Sequence, residues 1–317
     1  MNSNEAYDVV IVGGGPGGLA AALALGRARK RVLLCDSGTR RNHAAVHINN
    51  FVTRDGTIPD EFRNIARGQL TKYPQVNILD APVEAVKGGL AAFRVELSSS
   101  SVTARRVLLC TGMVDEMLPV EGFDQLWGSA IFQCPYCHGW EVRDRRWAYL
   151  VDAADEAMVR HFALQALAWT NELVLLTTGK QELSQGLCDE LGAAGIGVEM
   201  APVARLHRLG KALESVELAD GTRLACDFIF AHPPQHHVPL VAKLGLDLDE
   251  AGFVRVDPMT GETSQPGIYA AGDLTTRMQG AILAAAAATR TSAMINAALM
   301  VERVTRGTLA GHPQEDA

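Results

Sequence analysis

The chain lacks the features that mark nucleic-acid-binding, membrane and exported proteins. It has 29 basic and 36 acidic residues, a net charge of −7 and no basic run, which argues against nucleic acid or an anionic membrane as a partner. No apolar run is as long as expected for a membrane-spanning helix, and the N-terminus shows no export signal. We therefore expect a cytoplasmic protein, and its 317 residues are enough for two domains.

Close cysteine pairs are also scarce, because only Cys134 and Cys137 lie near each other, in the run Cys-Pro-Tyr-Cys-His-Gly. A zinc site would need a second pair at matched spacing, and we therefore expect no metal. Two thiols at this spacing can open and close a disulfide, and their thiolates form more readily than that of an isolated cysteine. In the cytoplasm such a pair is expected to cycle rather than to cross-link the fold.

A glycine-rich turn near the N-terminus predicts a dinucleotide site. Residues 7–12 are a short apolar run typical of a buried parallel strand. Gly13, Gly15 and Gly18 follow in the order G-x-G-x-x-G, with Pro16 between the second and third glycines. The first glycine allows a tight turn, the second lets the backbone approach a pyrophosphate, and the third lets a helix pack close to the sheet.

The residues after the glycine turn complete this pattern. A helix is expected over residues 19–29 and a second strand over residues 31–35, ending at Asp36. An acidic residue at this spacing accepts hydrogen bonds from a ribose, and the helix N-terminus offers free N–H groups to phosphates. A glycine-rich turn without a ligand is the alternative, and the complete series of strand, glycines, helix, strand and acid argues against it.

The far end of the chain carries a second pattern that indicates which dinucleotide binds. A short strand delivers Gly272 and Asp273, and an alanine-rich helix follows from about Gly280 to Arg303. This resembles the second flavin fingerprint of flavoproteins with two dinucleotide-binding domains. There the aspartate binds the ribitol chain, and the helix N-terminus points at the flavin. The resemblance implies FAD as the cofactor.

The order of glycine fingerprint, central C-x-x-C and C-terminal A-x-G-D resembles low-molecular-weight thioredoxin reductase over almost the whole chain. This resemblance implies an α/β fold with two Rossmann-like, three-layer dinucleotide-binding domains, and a homodimer. Residues 1–115 and 233–317 would form the FAD-binding domain, and residues 116–232 an inserted NADPH-domain-like segment that carries the cysteines. It implies further contacts with FAD at Asn50, Thr111, Gly112, Gln279, Gly280 and Ala281.

The inserted segment departs from that family at the loop that should hold NADPH. The stretch 147–157 has no glycine, and Asp152 stands where the first glycine belongs, with Asp155 and Glu156 after it. Carboxylates repel a pyrophosphate, and side chains block the approach of the backbone. Lys180 is a poor substitute for the arginine cluster that would hold a 2′-phosphate. We expect a degenerate NADPH domain that keeps its fold and has lost its ligand site.

A flavoprotein that keeps C-x-x-C but lacks an NADPH site is more naturally run as an oxidase. The motif resembles that of the thioredoxin-reductase-like dithiol oxidases that close the disulfides of gliotoxin, holomycin and romidepsin-type compounds. The resemblance implies that a small-molecule dithiol attacks Cys134 and releases Cys137, expected to be the thiol with the lower pKa. Electrons would pass to FAD and then to O2, giving H2O2. His138 is expected to titrate near neutrality and to take protons from substrate thiols.

Three alternatives stay open on the sequence. One is a thioredoxin reductase-like enzyme that takes electrons from ferredoxin or another protein donor. Another is a dithiol oxidase that passes electrons to NADP+ at an unusual site. The last is a flavin-binding redox sensor without turnover, against which the intact set of Cys134, Cys137 and His138 argues.

Overall fold

The structure, a computed structural model, describes residues 6–152 and 154–305, and these fold into two compact units. Three stretches of the chain build the first unit and two build the second: 6–40, 60–114 and 237–305 in the first, and 41–59 and 115–236 in the second. Residues 306–317, the end of the predicted third segment, lie outside the described residues.

Strands and helices alternate through most of the described chain. The elements before residue 110 are β1 (Tyr7–Val12), α1 (Pro16–Arg27), β2 (Val32–Cys35), a 3₁₀ turn (Arg41–Ala44), α2 (Pro59–Leu70), β3 (Val76–Leu79), β4 (Val83–Lys87), β5 (Phe93–Leu97) and β6 (Ser101–Leu109). The middle elements are β7 (Val114–Asp115), α3 (Phe123–Leu126), β8 (Ile131–Phe132), α4 (Pro135–His138), β9 (Trp147–Val151), α5 (Glu156–Ala166), β10 (Leu173–Thr177), α6 (Gln185–Ala193), β11 (Gly197–Leu209), β12 (Ala212–Leu218), β13 (Arg223–Ala225), β14 (Phe228–Ala231) and β15 (Gln235–His236). The last are α7 (Pro239–Leu244), β16 (Ile268–Ala270), a 3₁₀ turn (Gly272–Thr275) and α8 (Ala281–Thr305).

The first unit is built on a sheet in the order β3-β2-β1-β6-β5-β4, with β16 paired to the end of β6. Strands β3, β2, β1, β6 and β16 are parallel, and β4 and β5 continue from β6 as an antiparallel meander. Alternate residues of β1 enter two different cores: Val9 and Ile11 pack with α1 and α8, and Val10 and Val12 pack with β5 and α7. Burial on both faces explains why this strand is a continuous apolar run.

The second unit repeats this arrangement on a sheet in the order β13-β12-β11-β10-β9-β14-β8. Its parallel strands are covered on one face by α5 and α6, through Phe162 and Leu187, and on the other by α3, through Phe123 and Leu126. Helices or loops thus cover both faces of both sheets. The predicted α/β class with two Rossmann-like dinucleotide-binding domains is confirmed.

The stretch of residues 223–231 forms two strands that pair with different neighbours. Its first part, β13, pairs antiparallel with β12, whereas β14 pairs parallel with β9. The break lies at Asp227, whose backbone N–H and that of Phe228 both donate to the carbonyl of Arg146. The carboxylate of Asp227 also accepts hydrogen bonds from the Arg146 guanidinium. These bonds fix the chain at the point where its pairing changes from β12 to β9.

Residues 41–59 lie in the second unit, whereas the sequence assigned all of residues 1–115 to the first domain. Two side chains in this segment explain the difference, because Arg41 binds Asp115 and the amide of Asn49 donates to the carbonyl of Cys137 at 2.8 Å. The second crossing between the units falls after His236 rather than after residue 232. These 19 residues, which we call the strap (residues 41–59), therefore belong with the cysteines.

Helix α8 is long and apolar enough to cross a membrane by length and composition, a property that the sequence analysis missed. Its buried residues instead pack within the first unit, where Ala288, Ile295 and Leu299 share a core with Leu19 and Ala22 of α1. One face of α8 therefore packs against the core of the first unit.

Replacing Gly128 with alanine should destabilise the second unit. Gly128 has φ +77°, and a Cβ there would lie 2.7 Å from the carbonyl oxygen of Ala44 in the strap. The strained backbone and the clash should cost about 1–3 kcal/mol of unfolding free energy, measured by urea denaturation of the holoenzyme. Gly192→Ala is the matched control: it sits exposed in α6 with open space around it, and should stabilise by about 0.5–1 kcal/mol. Equal effects of the two variants would contradict the packing of the strap described here.

Candidate active site

The glycine turn at the end of β1 has the geometry expected of a dinucleotide site. Gly13 has φ +107°, and a Cβ on it would lie 2.4 Å from the carbonyl oxygen of Cys110. A Cβ on Gly18 would lie 1.8 Å from the carbonyl oxygen of Gly13, whereas a Cβ on Gly15 would meet nothing within 4 Å. Pro16 begins α1 and presets its backbone. The turn and the helix packing thus require two of the glycines, and the third faces open space that a ligand can approach.

The N-terminus of α1 has no side-chain cap and no acidic residue in its first turn. Its N–H groups are therefore left for a partner from outside the helix, and the positive end of the helix dipole favours a phosphate. This is the observation that makes the first unit fit FAD.

The other predicted FAD contacts of the first unit gather at the same edge of the sheet. Thr111 and Gly112 follow β6, and the backbone of Thr111 lies against Gly13 of the glycine turn. Gly272 and Asp273 follow β16, which pairs with β6. The N–H of Gly280, just before α8, donates to Asp273 Oδ1 at 3.3 Å, and the side chain of Gln279 donates to the Asp273 carbonyl. Ala281 is the first residue of α8. The carboxyl ends of parallel strands therefore bring these residues together.

Asp36, predicted to bind the ribose, lies at the end of β2 with a side chain that is 5% exposed. Its carboxylate accepts a hydrogen bond from the N–H of Gly38 at 2.9 Å and pairs with Arg63, while Arg67 lies 4.0 Å away. The sequence analysis missed both arginines, although their i, i+4 spacing on α2 could have placed them on one face. They add positive charge beside the glycine turn.

Asn50, the remaining predicted FAD contact, lies in the strap, which folds with the second unit. It has φ +58°, and its N–H donates to Asp55 at 2.7 Å. Its neighbour Asn49 makes the hydrogen bond to the C-x-x-C motif. The role of Asn50 stays a prediction, and the structure adds Asn49 as a residue that holds the redox pair.

Cys134 and Cys137 lie at opposite ends of the first turn of α4. Cys134 is the N-cap residue in an extended conformation, and Pro135 follows as the first helical residue. The two sulfurs lie 2.6 Å apart and are not joined as a disulfide. The thiol of Cys137 donates to the sulfur of Cys134 and lowers the pKa of Cys134, while burial works in the opposite direction. The N–H groups of Cys137 and Tyr136 add to the lowering.

The structure lowers the pKa of Cys134, and the assignment of the lower of the two pKa values to Cys137 stays a prediction. The main cause of the lowering is the hydrogen bond from the Cys137 thiol, and the N–H groups of Cys137 and Tyr136 contribute less. Cys134 is therefore the thiol that forms a thiolate readily.

The ring of His138 stacks on Phe132, with centroids 4.3 Å apart. Both ring nitrogens are buried, and neither has a hydrogen-bond partner among the described residues. Burial, followed by the nearby His47, lowers the pKa of His138 to about 4. The expectation that this imidazole titrates near neutrality is therefore wrong. His138 is neutral at neutral pH, and its two nitrogens are left for a partner that enters the site.

Three further cysteines, Cys35, Cys110 and Cys226, are free thiols that are not paired with another cysteine. Burial raises the pKa values of Cys35, Cys110 and Cys226 to about 12, so these thiols stay protonated and unreactive. Across the described residues, no group of three or more His, Cys, Asp or Glu side chains is placed to hold a metal ion.

The three carboxylates of the degenerate loop bind groups of the protein itself. Asp152, 6% exposed, accepts hydrogen bonds from Thr178 at 2.7 Å and from Lys180 at 3.0 Å. Asp155 is the N-cap of α5 and accepts from the N–H of Ala157 at 2.9 Å.

Glu156, in the first turn of α5, links the loop before α5 to the start of α6. Its carboxylate accepts hydrogen bonds from the N–H and the hydroxyl of Ser184, the N-cap residue of α6. Gln181 meanwhile bonds to both the N–H and the carbonyl of Ala154. The loop before α5 is thus fastened to residues 178–184, and the groups that would hold a second dinucleotide are already bonded.

Comparison with known proteins matches residues 7–290 to the family described as pyridine nucleotide-disulphide oxidoreductase. The protein named thioredoxin reductase tcpT, from Claviceps purpurea, is 32% identical over 86% of this chain and 88% of its own. A putative thioredoxin reductase TrxB from Bacillus anthracis has a crystal structure that superimposes with a TM-score of 0.86 at 34% identity, over 93% of this chain and 99% of that one. The crystal structure of HlmI gives a TM-score of 0.88 at 32% identity, over 97% of each chain.

Substitutions in the glycine turn should separate cofactor binding from folding. Gly15→Ala places a methyl group in open space, and should yield a folded protein with less bound FAD because the backbone is kept from the pyrophosphate. Gly18→Ala should disrupt both folding and FAD content, since its Cβ meets the Gly13 carbonyl. The ratio of flavin to protein absorbance after purification measures the first, and urea denaturation the second. Gly68→Ala on the exposed face of α2 is the control; full FAD in Gly15→Ala would contradict the predicted site.

His138 should make the protein less stable in acid. Its pKa is about 4 when folded and 6.5 in the unfolded chain, so the unfolded state takes up a proton first and is favoured as the pH falls. Stability is complete above about pH 6.5 and declines towards about pH 4. His138→Phe keeps a ring against Phe132 without a titrating group. Its urea midpoint should therefore fall less than that of the wild type between about pH 7 and about pH 5. Parallel declines in the two proteins would refute the burial of a neutral imidazole.

Proposed function

The chain belongs to the pyridine nucleotide-disulphide oxidoreductase family, and from this premise we propose that it oxidises a small-molecule dithiol to an intramolecular disulfide. The family makes it an FAD-dependent disulfide oxidoreductase, and its relatives are of the thioredoxin reductase type. What we add is the direction of the reaction, the class of substrate and the acceptor, O2.

The single observation that carries the proposal is the loop before α5. A reductase of this type needs a binding site for the pyridine nucleotide that donates hydride. The pyrophosphate of that nucleotide needs a helix N-terminus with free N–H groups. Here Asp155 caps that N-terminus, and Asp152 engages Lys180, the nearby cation on which a 2′-phosphate would depend. A loop that does not bind NADPH favours a reaction in which the electrons come from substrate thiols.

The chain's own residues account for the exchange steps. Starting from a Cys134–Cys137 disulfide, one substrate thiolate attacks the Cys134 sulfur, and Cys137 leaves as a thiolate. The second substrate thiolate attacks the substrate sulfur of the mixed disulfide, which forms the product disulfide and expels Cys134. The low pKa of Cys134 favours this second departure, because the more acidic thiol is the better leaving group.

Bound FAD would supply the two-electron acceptor that reoxidises the cysteine pair, with O2 as the final acceptor and H2O2 as its product. The neutral imidazole of His138 lies next in sequence to Cys137 and has both nitrogens unpartnered among the described residues. A substrate thiolate beside it raises its proton affinity, so His138 is proposed to hold the thiol proton during attack. The proposal includes a homodimer in the cytoplasm, as the resemblance to thioredoxin reductases implies.

An anaerobic reoxidation experiment tests the acceptor and the direction together. The purified holoenzyme is reduced without air by a small dithiol, and the yellow flavin band should bleach if thiols deliver electrons to FAD. Air, NADP+ or oxidised thioredoxin is then added to separate samples. The band should return rapidly, with H2O2, only in air. Cys134→Ser, which cannot form the disulfide, should retain FAD and fail to bleach with the dithiol.

Bleaching of the resting enzyme by micromolar NADPH would overturn the proposal, because it would show that the loop before α5 admits the nucleotide. Recovery with NADP+ alone would favour a dithiol oxidase with a nucleotide acceptor. Recovery with thioredoxin alone would favour a disulfide reductase supplied by a protein donor. Either of the last two results excludes O2 as the acceptor.

A further inference from the structure

Arg41, at the start of the strap, is fixed in place by a buried carboxylate. Its Nε and Nη2 atoms donate to the two oxygens of Asp115, each at 2.7 Å. The side chain of Asp115 is 4% exposed, and Gln235 also donates to it at 2.8 Å. A two-pronged ion pair of this kind holds the plane of the guanidinium as well as its position.

The same guanidinium reaches the redox pair. Nη2 of Arg41 also donates to the side-chain oxygen of Gln133, the residue directly before Cys134. Gln133 leads into the extended N-cap residue of α4, so this hydrogen bond restrains the chain where Cys134 begins the helix. The hydrogen bond also holds a permanent cation, the guanidinium, beside the residue that precedes Cys134. The anion of the ion pair, Asp115, is buried.

We propose that Arg41 is a positioning residue for disulfide exchange at Cys134, acting through the Asp115-anchored guanidinium that restrains Gln133 and presents positive charge to the Cys134 thiolate. The strap is then more than a connection between the units, because it supplies a charge that the C-x-x-C segment itself does not contain. The inference rests on the exchange chemistry that the family shares, and it holds whichever acceptor reoxidises the enzyme.

The other groups around Cys134 define what Arg41 adds. The thiol of Cys137 and two backbone N–H groups stabilise the thiolate from within α4, and Arg41 contributes by its charge. His138 is neutral near pH 7 and carries no charge towards the sulfur. Asp115 carries the opposite charge beside Arg41, so the two members of the ion pair are expected to act on the thiolate in opposite directions.

This opposition gives a test that separates charge from mere packing. The holoenzyme and its variants are fully reduced without air, and the rate of alkylation of Cys134 by iodoacetamide is followed against pH by peptide mass spectrometry. Arg41→Met should raise the apparent pKa of Cys134 by about one unit. Asp115→Asn keeps the shape of the side chain and removes its charge, so it should lower that pKa or leave it unchanged. Arg41→Lys, which keeps the charge, should shift it less than Arg41→Met does.

A structural role alone would move both single variants in the same direction, and that result, or an unchanged pKa in Arg41→Met, would overturn the proposal. The double variant Arg41→Met with Asp115→Asn leaves no unpaired buried carboxylate and should still raise the pKa, which covers the case in which Arg41→Met does not fold.

Arg205→Met is the matched control. It removes one positive charge from an exposed pair with Glu121 in the same unit and should leave Cys134 unaffected. Alkylation needs no electron acceptor, so a failure of the oxidase proposal would not change these results.

Discussion

The first N–H groups of an α-helix have no partner inside the helix, and the function of this protein depends on what satisfies them. Two helices that follow a parallel strand, α1 after β1 and α5 after β9, satisfy these groups differently. At α1 the N-cap is Gly15, without a side-chain bond and with open space around it. At α5 the N-cap is Asp155, whose carboxylate bonds to the helix and supplies the negative charge that a phosphate would bring. One helix is left for a ligand, and the other is satisfied by the protein.

The same physical effect acts at the redox pair on a smaller scale. Cys134 is the N-cap residue of α4 and has an extended backbone. The N–H groups there stabilise a thiolate, and the thiol of Cys137 adds a direct hydrogen bond. Pro135 suits the first helical position because it has no N–H to satisfy. The motif therefore builds its reactive sulfur from local backbone geometry.

Features fixed by local backbone geometry were the ones that could be predicted from the sequence. The role of Gly18 follows from a clash with Gly13 in the same turn, and three acidic residues in one loop predict the loss of a second nucleotide site. Arg41 and Asn49 were missed because their partners lie 74 and 88 residues away. The pKa of His138 was wrong for a related reason: burial, which sets it, comes from packing in the folded unit. Residues that act over long sequence separations need the structure.

The environment of Cys134 does not by itself choose the direction of electron flow. A low pKa makes this sulfur a good leaving group when a substrate disulfide closes, yet it also raises the thiolate fraction that would attack a disulfide in the reductive direction. Electrostatic support from Arg41 would serve both reactions equally. Direction depends instead on which electron donor the protein can bind. We propose that this choice is made at α5, where Asp155 caps the helix and Asp152 pairs with Lys180, which leaves a dithiol as the donor that needs no second dinucleotide.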